Sequence, residues 1–208
     1  MLPRMQSLKD EVRQRILVAA RDEFIAHGVR NTPMRAVAKR AGIAVGNVYN
    51  YFGSKDALFR EVMRPLLSAL DRYILSHNEE CYLNIEVFSE KRFQTRHMLE
   101  MQTLIVNFRP ELQLLLFKAD GTSLANYKDR ILEHQMDIGI EYLHLMKRRY
   151  PHININISPF LLRIASATWV SIFTELVRHD EYSDAEIEYA LQQCTAYSMA
   201  GWKELLNV

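Results

Sequence analysis

Turn-forming residues are scarce in this chain, which has 7 glycines and 6 prolines among 208 residues, below average usage. A chain with so few punctuating residues makes few turns, and long helices need the fewest. The glycines are also unevenly spread. Gly28, Gly42, Gly46 and Gly53 all fall before residue 59, so the start of the chain is expected to consist of short pieces and the rest of long ones. The length suffices for one large domain or two small ones with a proper core. With 49% apolar and 25% charged residues, disordered and fibrous classes are excluded.

The net charge of +1 hides an asymmetry. Residues 1–58 carry 10 Lys/Arg against 5 Asp/Glu, while residues 59–208 carry 16 against 20. A basic first part suits a polyanionic partner for that part alone, and chance clustering of solvated charge is the competing account. Cys81 and Cys194 cannot form a disulfide framework and are not spaced as metal ligands, which fits a reducing compartment. The N-terminal MLPRMQSLKDEVRQR lacks the apolar stretch of a secretory signal. The uncharged runs at 150–162 and 164–174 are shorter than the roughly 18–20 residues that a membrane span needs. The expectation is a soluble, cytoplasmic protein with no membrane partner.

Val12, Ile16, Ala19, Ala20 and Phe24 recur at helical spacing and predict a first helix over about 7–27, stopped by Gly28. Thr32 reads as the cap of a second helix, with Pro33 at its first position. That helix runs to about residue 40, with Val37 inward, before Ala41-Gly42 turns the chain. A third short helix covers about 45–51. Ser54 caps a fourth, with Asp56 in its first turn, running to about residue 78 with a kink or break at Pro65. Further helices are expected over about 89–108, from Pro110 to about 118, over 123–150, from Ser158-Pro159 to about 177, and from a Ser183/Glu186 capping box to about 206. Ile153, Ile155 and Ile157 alternate with asparagines as in a strand. Bracketed by Pro151 and Pro159, they read as an extended connector. The sum is an all-α chain of about nine helices.

Short helix, glycine turn and short helix over about 33–52 make a helix-turn-helix layout, whose second helix can enter a DNA major groove. That helix reads Val45-Gly46-Asn47-Val48-Tyr49-Asn50-Tyr51. Asparagine bonds adenine bidentately and valine touches a thymine methyl, while Tyr49 and Tyr51 can donate hydroxyls to phosphate. Gly46 costs about 1 kcal/mol against Ala inside a helix. Close approach of the backbone to phosphate, or tight packing against the preceding helix, should account for it. Lys55 adds a charge beside the free N–H groups of the fourth helix, and Arg35, Lys39 and Arg40 are further phosphate candidates. A bland three-helix subdomain without DNA contact is the competing reading.

Residues 15–63, RILVAARDEFIAHGVRNTPMRAVAKRAGIAVGNVYNYFGSKDALFREVM, resemble the DNA-binding region of TetR-family transcriptional regulators. The pattern is met at Ile16, Ala19-Ala20, Phe24, Gly28, Thr32, Val37-Ala38, Ala41-Gly42, Gly46, Tyr49, Tyr51-Phe52, Ser54-Lys55 and Leu58. The resemblance implies a homodimer with an N-terminal three-helix DNA-binding domain (1–66) and a helical effector-binding and dimerisation domain (67–208). It also implies that Thr32, Asn47, Tyr49, Tyr51 and Lys55 touch DNA. Together with the residues singled out above, the expected DNA-binding set is Thr32, Arg35, Val45, Gly46, Asn47, Tyr49, Asn50, Tyr51 and Lys55. Two departures stand out. Ala44 replaces the Ser or Thr often found there, removing a side-chain cap. Residues 45–51 also hold no Lys or Arg, so the arginine–guanine contact is missing and half-sites should lean towards A·T.

The segment 159–177 is apolar nearly all round, with Phe160, Leu161, Leu162, Ile164, Val170, Phe173 and Leu176, and must be covered all round. With the small-residue seam of the last helix it suggests a dimer interface of Ala165, Trp169, Ile172, Ala190, Cys194, Ser198, Gly201 and Leu205, or ordinary monomer packing. An apolar effector pocket is expected among Met98, Met101, Phe108, Phe117, Met136, Tyr142, Met146 and Phe173, residues that equally make plain core. His134, Asp137 and Glu141 have conceivable metal-ligand spacing, but with Arg130, His144 and Arg148 they read better as a solvated stripe. Neither metal nor cofactor is expected. The leading function is a repressor that binds a double-stranded DNA operator and is released by a small-molecule effector. The alternatives are an all-α small-molecule-binding protein or enzyme, and a DNA-binding protein without an effector. The chain has no phosphate-binding loop or nucleophile elbow, and no enzyme activity is expected.

Overall fold

The computed structural model describes residues 3–208, with side chains from Leu8 onward. Among the described residues the chain forms eight α-helices, one 3-10 turn and no strand. The helices are α1 (Pro3–His27), α2 (Met34–Ala41), α3 (Val45–Phe52), α4 (Lys55–Ser76), α5 (Lys91–Phe117), α6 (Tyr127–Arg149), α7 (Pro159–Arg178) and α8 (Asp184–Leu206), with the 3-10 turn at Ile85–Phe88.

The count is eight and not nine because the two pieces on either side of Pro110 share one label. The expected pieces 89–108 and 110–118 are two helices that meet at the non-helical Phe108 (φ −128°, ψ 16°), two residues before Pro110, and are numbered together as α5. Proline lacks the N–H for the preceding turn and crowds that turn's carbonyl, so the helix bends there. α4 instead passes through Pro65 as a continuous helix. The 3-10 turn was not foreseen; the Asn84 side chain nucleates it by accepting from the Glu86 N–H at 3.0 Å.

The chain divides into two compact units. The first is Met1–Ser68 together with Pro110–Tyr127, so the distal part of α5, which the sequence pattern assigns to the C-terminal part, belongs with the N-terminal helices. Its core gathers Ile16, Ala20 and Phe24 of α1, Val37 of α2, Val48 of α3, Leu58 and Phe59 of α4, and Leu112 and Leu115 of α5, all buried. Phe24 meets Phe59 edge to face at 5.7 Å. Arg21 Nε donates to Glu111 Oε1 at 2.5 Å, and Ser123 N–H donates to Asp56 Oδ1 at 2.8 Å. These bonds tie the returning segment to α1 and α4.

The second unit is Ala69–Arg109 with Lys128–Val208. Leu83, Phe88, Tyr142, Leu143, Met146, Ile153 and Leu206 form one buried cluster in it. Ile155 and Ile157 pack against that cluster, so the alternating isoleucines face inward although they join no ladder. Instead the connector is held by side chains and ends. Lys147 Nζ donates to the Ile153 carbonyl at 2.6 Å, and Asn154 Nδ2 donates to the Leu205 carbonyl at 2.8 Å. Ser183 and Glu186 form the expected capping box at α8. Ser158 stands at the N-cap of α7 without a side-chain cap bond.

Candidate nucleic-acid interface and ligand groove

α2 ends at Gly42, whose φ of +68° is left-handed. Ile43 N–H returns to the Ala38 carbonyl at 3.0 Å and Gly42 N–H to the Lys39 carbonyl at 3.2 Å, closing the α2 C-terminus in the way a glycine there permits. The chain then enters α3 at Ala44 in an extended conformation with no side-chain cap bond. Val48 and Phe52 bury the inner face of α3. Val45, Gly46, Asn47, Tyr49 and Asn50 are exposed, and Tyr51 is half-buried. The outward face of α3 is thus uncharged and made of hydrogen-bonding amides, a phenol and one small apolar side chain. A methyl added at Gly46 would meet nothing within 4 Å, so packing within the chain does not explain this glycine.

Three sequence expectations need correction here. Thr32 is fully buried and is not the α2 cap; that position is Pro33, with no side-chain bond. The Thr32 hydroxyl donates to the Gly28 carbonyl at 2.8 Å and lies 3.1 Å from the Glu23 carbonyl, locking the α1–α2 loop. Its single O–H serves the loop carbonyl in place of capping its own helix. Lys55 turns its ammonium onto the Thr32 and Arg30 carbonyls, at 3.0 and 3.2 Å, so two of its three donors are occupied by the same loop. Arg40 pairs with Asp22 at 2.8 Å and Glu23 at 3.4 Å. Arg35 and Lys39, one turn apart on α2, are exposed and have no ion pair among the described residues.

In the second unit the expected ligand-lining set scatters. Met98, Met101, Tyr142, Met146 and Phe173 are buried core, and Met136 is half-buried. Phe117 belongs to the first unit and is exposed. Only Phe108 of that set lines the open groove of about 700 Å³ between α4 and α5. The other walls are Ala69, Tyr73 and Ser76 on one side and Leu99, Thr103 and Leu104 on the other. Their spacing of three and four marks one face on each helix. Mixed with arginines and glutamates, that face carries no apolar stripe to betray it.

Behind the groove four rings stack. Phe173 and Trp169 lie 5.5 Å apart, Trp169 and Tyr73 5.9 Å, and Tyr73 and His97 5.1 Å. Tyr73 Oη is 2.9 Å from His97 Nε2, and burial drives the Tyr73 phenol pKa strongly upward. His77 and His97 are pushed down to about 4, first by desolvation. Trp169, expected at a dimer surface, therefore turns its ring into this stack.

The outward faces of α7 and α8 carry the unit's largest exposed apolar side chains. Phe160 is 72%, Tyr189 63% and Tyr197 81% exposed, and Ile164 and Leu205 are also exposed. Of the expected interface set, Ala190, Gly201 and Leu205 are exposed, and Ala165, Ile172, Cys194 and Ser198 are half-buried. A methyl at Gly201 would meet nothing within 4 Å. Among the described residues α7 is the one helix long and apolar enough to cross a membrane, with 22% of that stretch buried. The uncharged runs read from the sequence missed this because Arg163 interrupts them. No group of three His, Cys, Asp or Glu among the described residues is placed to hold a metal; Glu141 accepts from Asn78 Nδ2 at 3.1 Å.

Residues 16–62 match the model of the bacterial regulatory proteins, tetR family. Curated relatives match part of the chain. The uncharacterized HTH-type transcriptional regulator YdgC of Bacillus subtilis is 33% identical over 87 residues, covering 42% of this chain and 45% of that protein. The HTH-type transcriptional regulator UidR of Escherichia coli is 36% identical over 63 residues, covering 30% and 32%. The chain thus spans less than half the length of the curated relatives it matches. Solved structures extend the likeness of fold. NalD of Pseudomonas aeruginosa superposes with a TM-score of 0.61 at 20% identity, over 90% of this chain and 94% of that one. FadR of Bacillus subtilis, solved with stearoyl-CoA, does so with 0.61 at 16%, over 88% and 97%. Residues 16–62 thus carry the sequence of the helix-turn-helix domain of the tetR family of bacterial regulatory proteins, and the helices of the chain share the fold of these solved regulators.

Proposed function

We infer that this protein is a sequence-specific, DNA-binding transcriptional regulator that acts as a homodimer in the cytoplasm, represses from an operator and is released by a small molecule. The observation that carries the reading is α3, an exposed helix whose outward face is uncharged, rich in amide and phenol groups, and opened by a glycine that packing does not need. Asn47 and Asn50 read base edges, Val45 meets a thymine methyl, Tyr49 and Tyr51 contact phosphate, and Gly46 lets the backbone come close. Arg35 and Lys39 supply the charge against phosphate, and Thr32 and Lys55 hold the loop that positions α2. With no arginine on α3, half-sites lean towards A·T.

The dimer reading is supported by α7 and α8. A helix with so little of its apolar length covered needs a partner, and these two helices from each copy make a four-helix bundle. Two recognition helices then meet half-sites about 34–36 Å apart, and an effector that prefers another dimer geometry shifts the population off DNA. NalD is a secondary repressor of a multidrug efflux pump and FadR holds stearoyl-CoA. Both support a ligand-released repressor, and the relatives are regulators rather than enzymes. Selection from a random duplex library tests the reading. A recovered two-fold operator with A·T-leaning half-sites is expected; absence of any selected sequence, or G·C-rich half-sites, contradicts it.

A further inference from the structure

We propose that Arg13 is a positioning residue of α3: its guanidinium lies over the Phe52 ring, bonds to Glu61 of α4 and so fixes the tilt of the recognition helix. This rests on the reading of α3 as the helix that meets DNA.

Arg13 stands three residues before Ile16 and seven before Ala20, both buried, so it shares the inward face of α1, one turn nearer the N-terminus. Half-buried itself, it lays its stem along the edge of the core and keeps its charge at the surface. The guanidinium carbon is 5.4 Å from the centre of the Phe52 ring, within reach of the attraction between a cation and an aromatic face. Arg13 Nη2 donates to Glu61 Oε2, and the same carboxylate takes Arg64 Nη2 at 3.4 Å. One side chain of α1 thereby meets both α3 and α4. The planar fork of an arginine lets it stack and bond at once, which a lysine ammonium does not.

α3 depends on such a tie. It has eight residues, and its buried side chains are Val48 and Phe52, one turn apart. A helix this short is not stable by itself and takes its direction from those two anchors. Val48 is fully enclosed, whereas Phe52 keeps 7% of its surface open. Phe52 also ends the helix, because Gly53 follows with a φ of +64°. Arg13 stands over this second anchor. A change of tilt there moves Asn47 and Asn50, whose bonds to base edges depend steeply on angle. Attraction to phosphate varies slowly with distance and carries no sequence information. Loosening α3 therefore costs discrimination before it costs affinity for DNA in general.

The test uses Arg13→Lys, Arg13→Met and Glu61→Gln, each measured well below its Tm on the selected operator and on random duplex. Hydrogen exchange of the free proteins is followed at the α3 amides. Each variant should lower the ratio of operator to random-duplex affinity by about fivefold and speed exchange in α3 relative to α2. If Arg13 were a phosphate contact, Arg13→Lys would keep the full ratio, Arg13→Met would lower the salt slope by about one, and Glu61→Gln would tighten both duplexes alike. That pattern overturns the proposal. Equal loss on both duplexes, as a merely structural role gives, overturns it too. Should no operator be selected, the DNA reading falls and exchange decides alone: faster α3 exchange in all three variants upholds Arg13 as the tie, and unchanged exchange defeats it.

Discussion

Gly46 in the first turn of α3 and Gly201 towards the end of α8 are both helical, both exposed, and both would accept a methyl without touching anything in the chain. Each gives up helix stability relative to Ala, about 1 kcal/mol in a helix interior and less in the first turn where Gly46 stands, yet their neighbours differ. Around Gly46 stand Asn47, Tyr49 and Asn50, groups that exchange hydrogen bonds with base edges and phosphates. Around Gly201 stand Tyr197, Ala200 and Leu205, groups that exclude water. On the function proposed above, the same missing side chain would serve two partners: a polyanion approached by backbone and amides in the first unit, and a second copy approached by an apolar helix in the second. Gly139 on α6 is a third helical glycine in open space; it belongs to neither face and serves as the control.

The comparison breaks most readily at Gly201. Gly201→Trp should weaken the dimer by about a hundredfold, because two copies are overpacked at roughly 1–3 kcal/mol each, while the fold of each chain is kept. Sedimentation velocity across a concentration series checks this, and an unchanged monomer–dimer equilibrium would remove α8 from the interface. On the other face, Asn47→Ala should cost about 1–3 kcal/mol of discrimination between selected operator and random duplex. Equal loss on both sequences would make Asn47 a backbone contact.

Acid should separate the units. His77 and His97 are held near pKa 4 by burial, against 6.5 for an ordinary histidine. Their neutral forms thus stabilise the folded second unit fully above about pH 6.5. Below that the unfolded chain takes up protons that the folded one refuses, and stability falls until about pH 4. Denaturant midpoints followed through Trp169 should drop across this window, with up to two protons taken up on unfolding. His97→Gln should flatten the drop, and a pH-independent midpoint would contradict the assignment.

The smallest effect distinguishes two lysines. Lys39→Ala should lower the salt slope of DNA binding by about one per contact without changing Tm. Lys55→Ala should lower Tm and leave the slope alone. The opposite pattern would return Lys55 to the phosphate surface.

How much was legible in the sequence differs between the units for a physical reason. In the first, short helices are punctuated by glycines and bury a strict spacing of small and aromatic residues, so boundaries and the outward face of α3 follow from local chemistry. Hydrogen bonds over distance were not legible: nothing local shows that the Thr32 hydroxyl and the Lys55 ammonium serve backbone carbonyls. In the second, Met98, Met146 and Phe173 have the chemistry of a pocket, but tertiary packing makes them core. The groove walls Tyr73, Leu99 and Phe108 come together only because α4 and α5 lie side by side, and the joining of 110–127 to the first unit left no local mark.

The most direct test of the central claim, that α3 has its glycine for DNA and not for folding, is a paired measurement on Gly46→Ala. Thermal unfolding should show a gain of up to about 1 kcal/mol, as Gly139→Ala also should. Fluorescence anisotropy on the selected operator should show about tenfold weaker binding for Gly46→Ala and none of that loss for Gly139→Ala. A Gly46→Ala protein that is more stable and binds the operator as tightly as before would contradict the account.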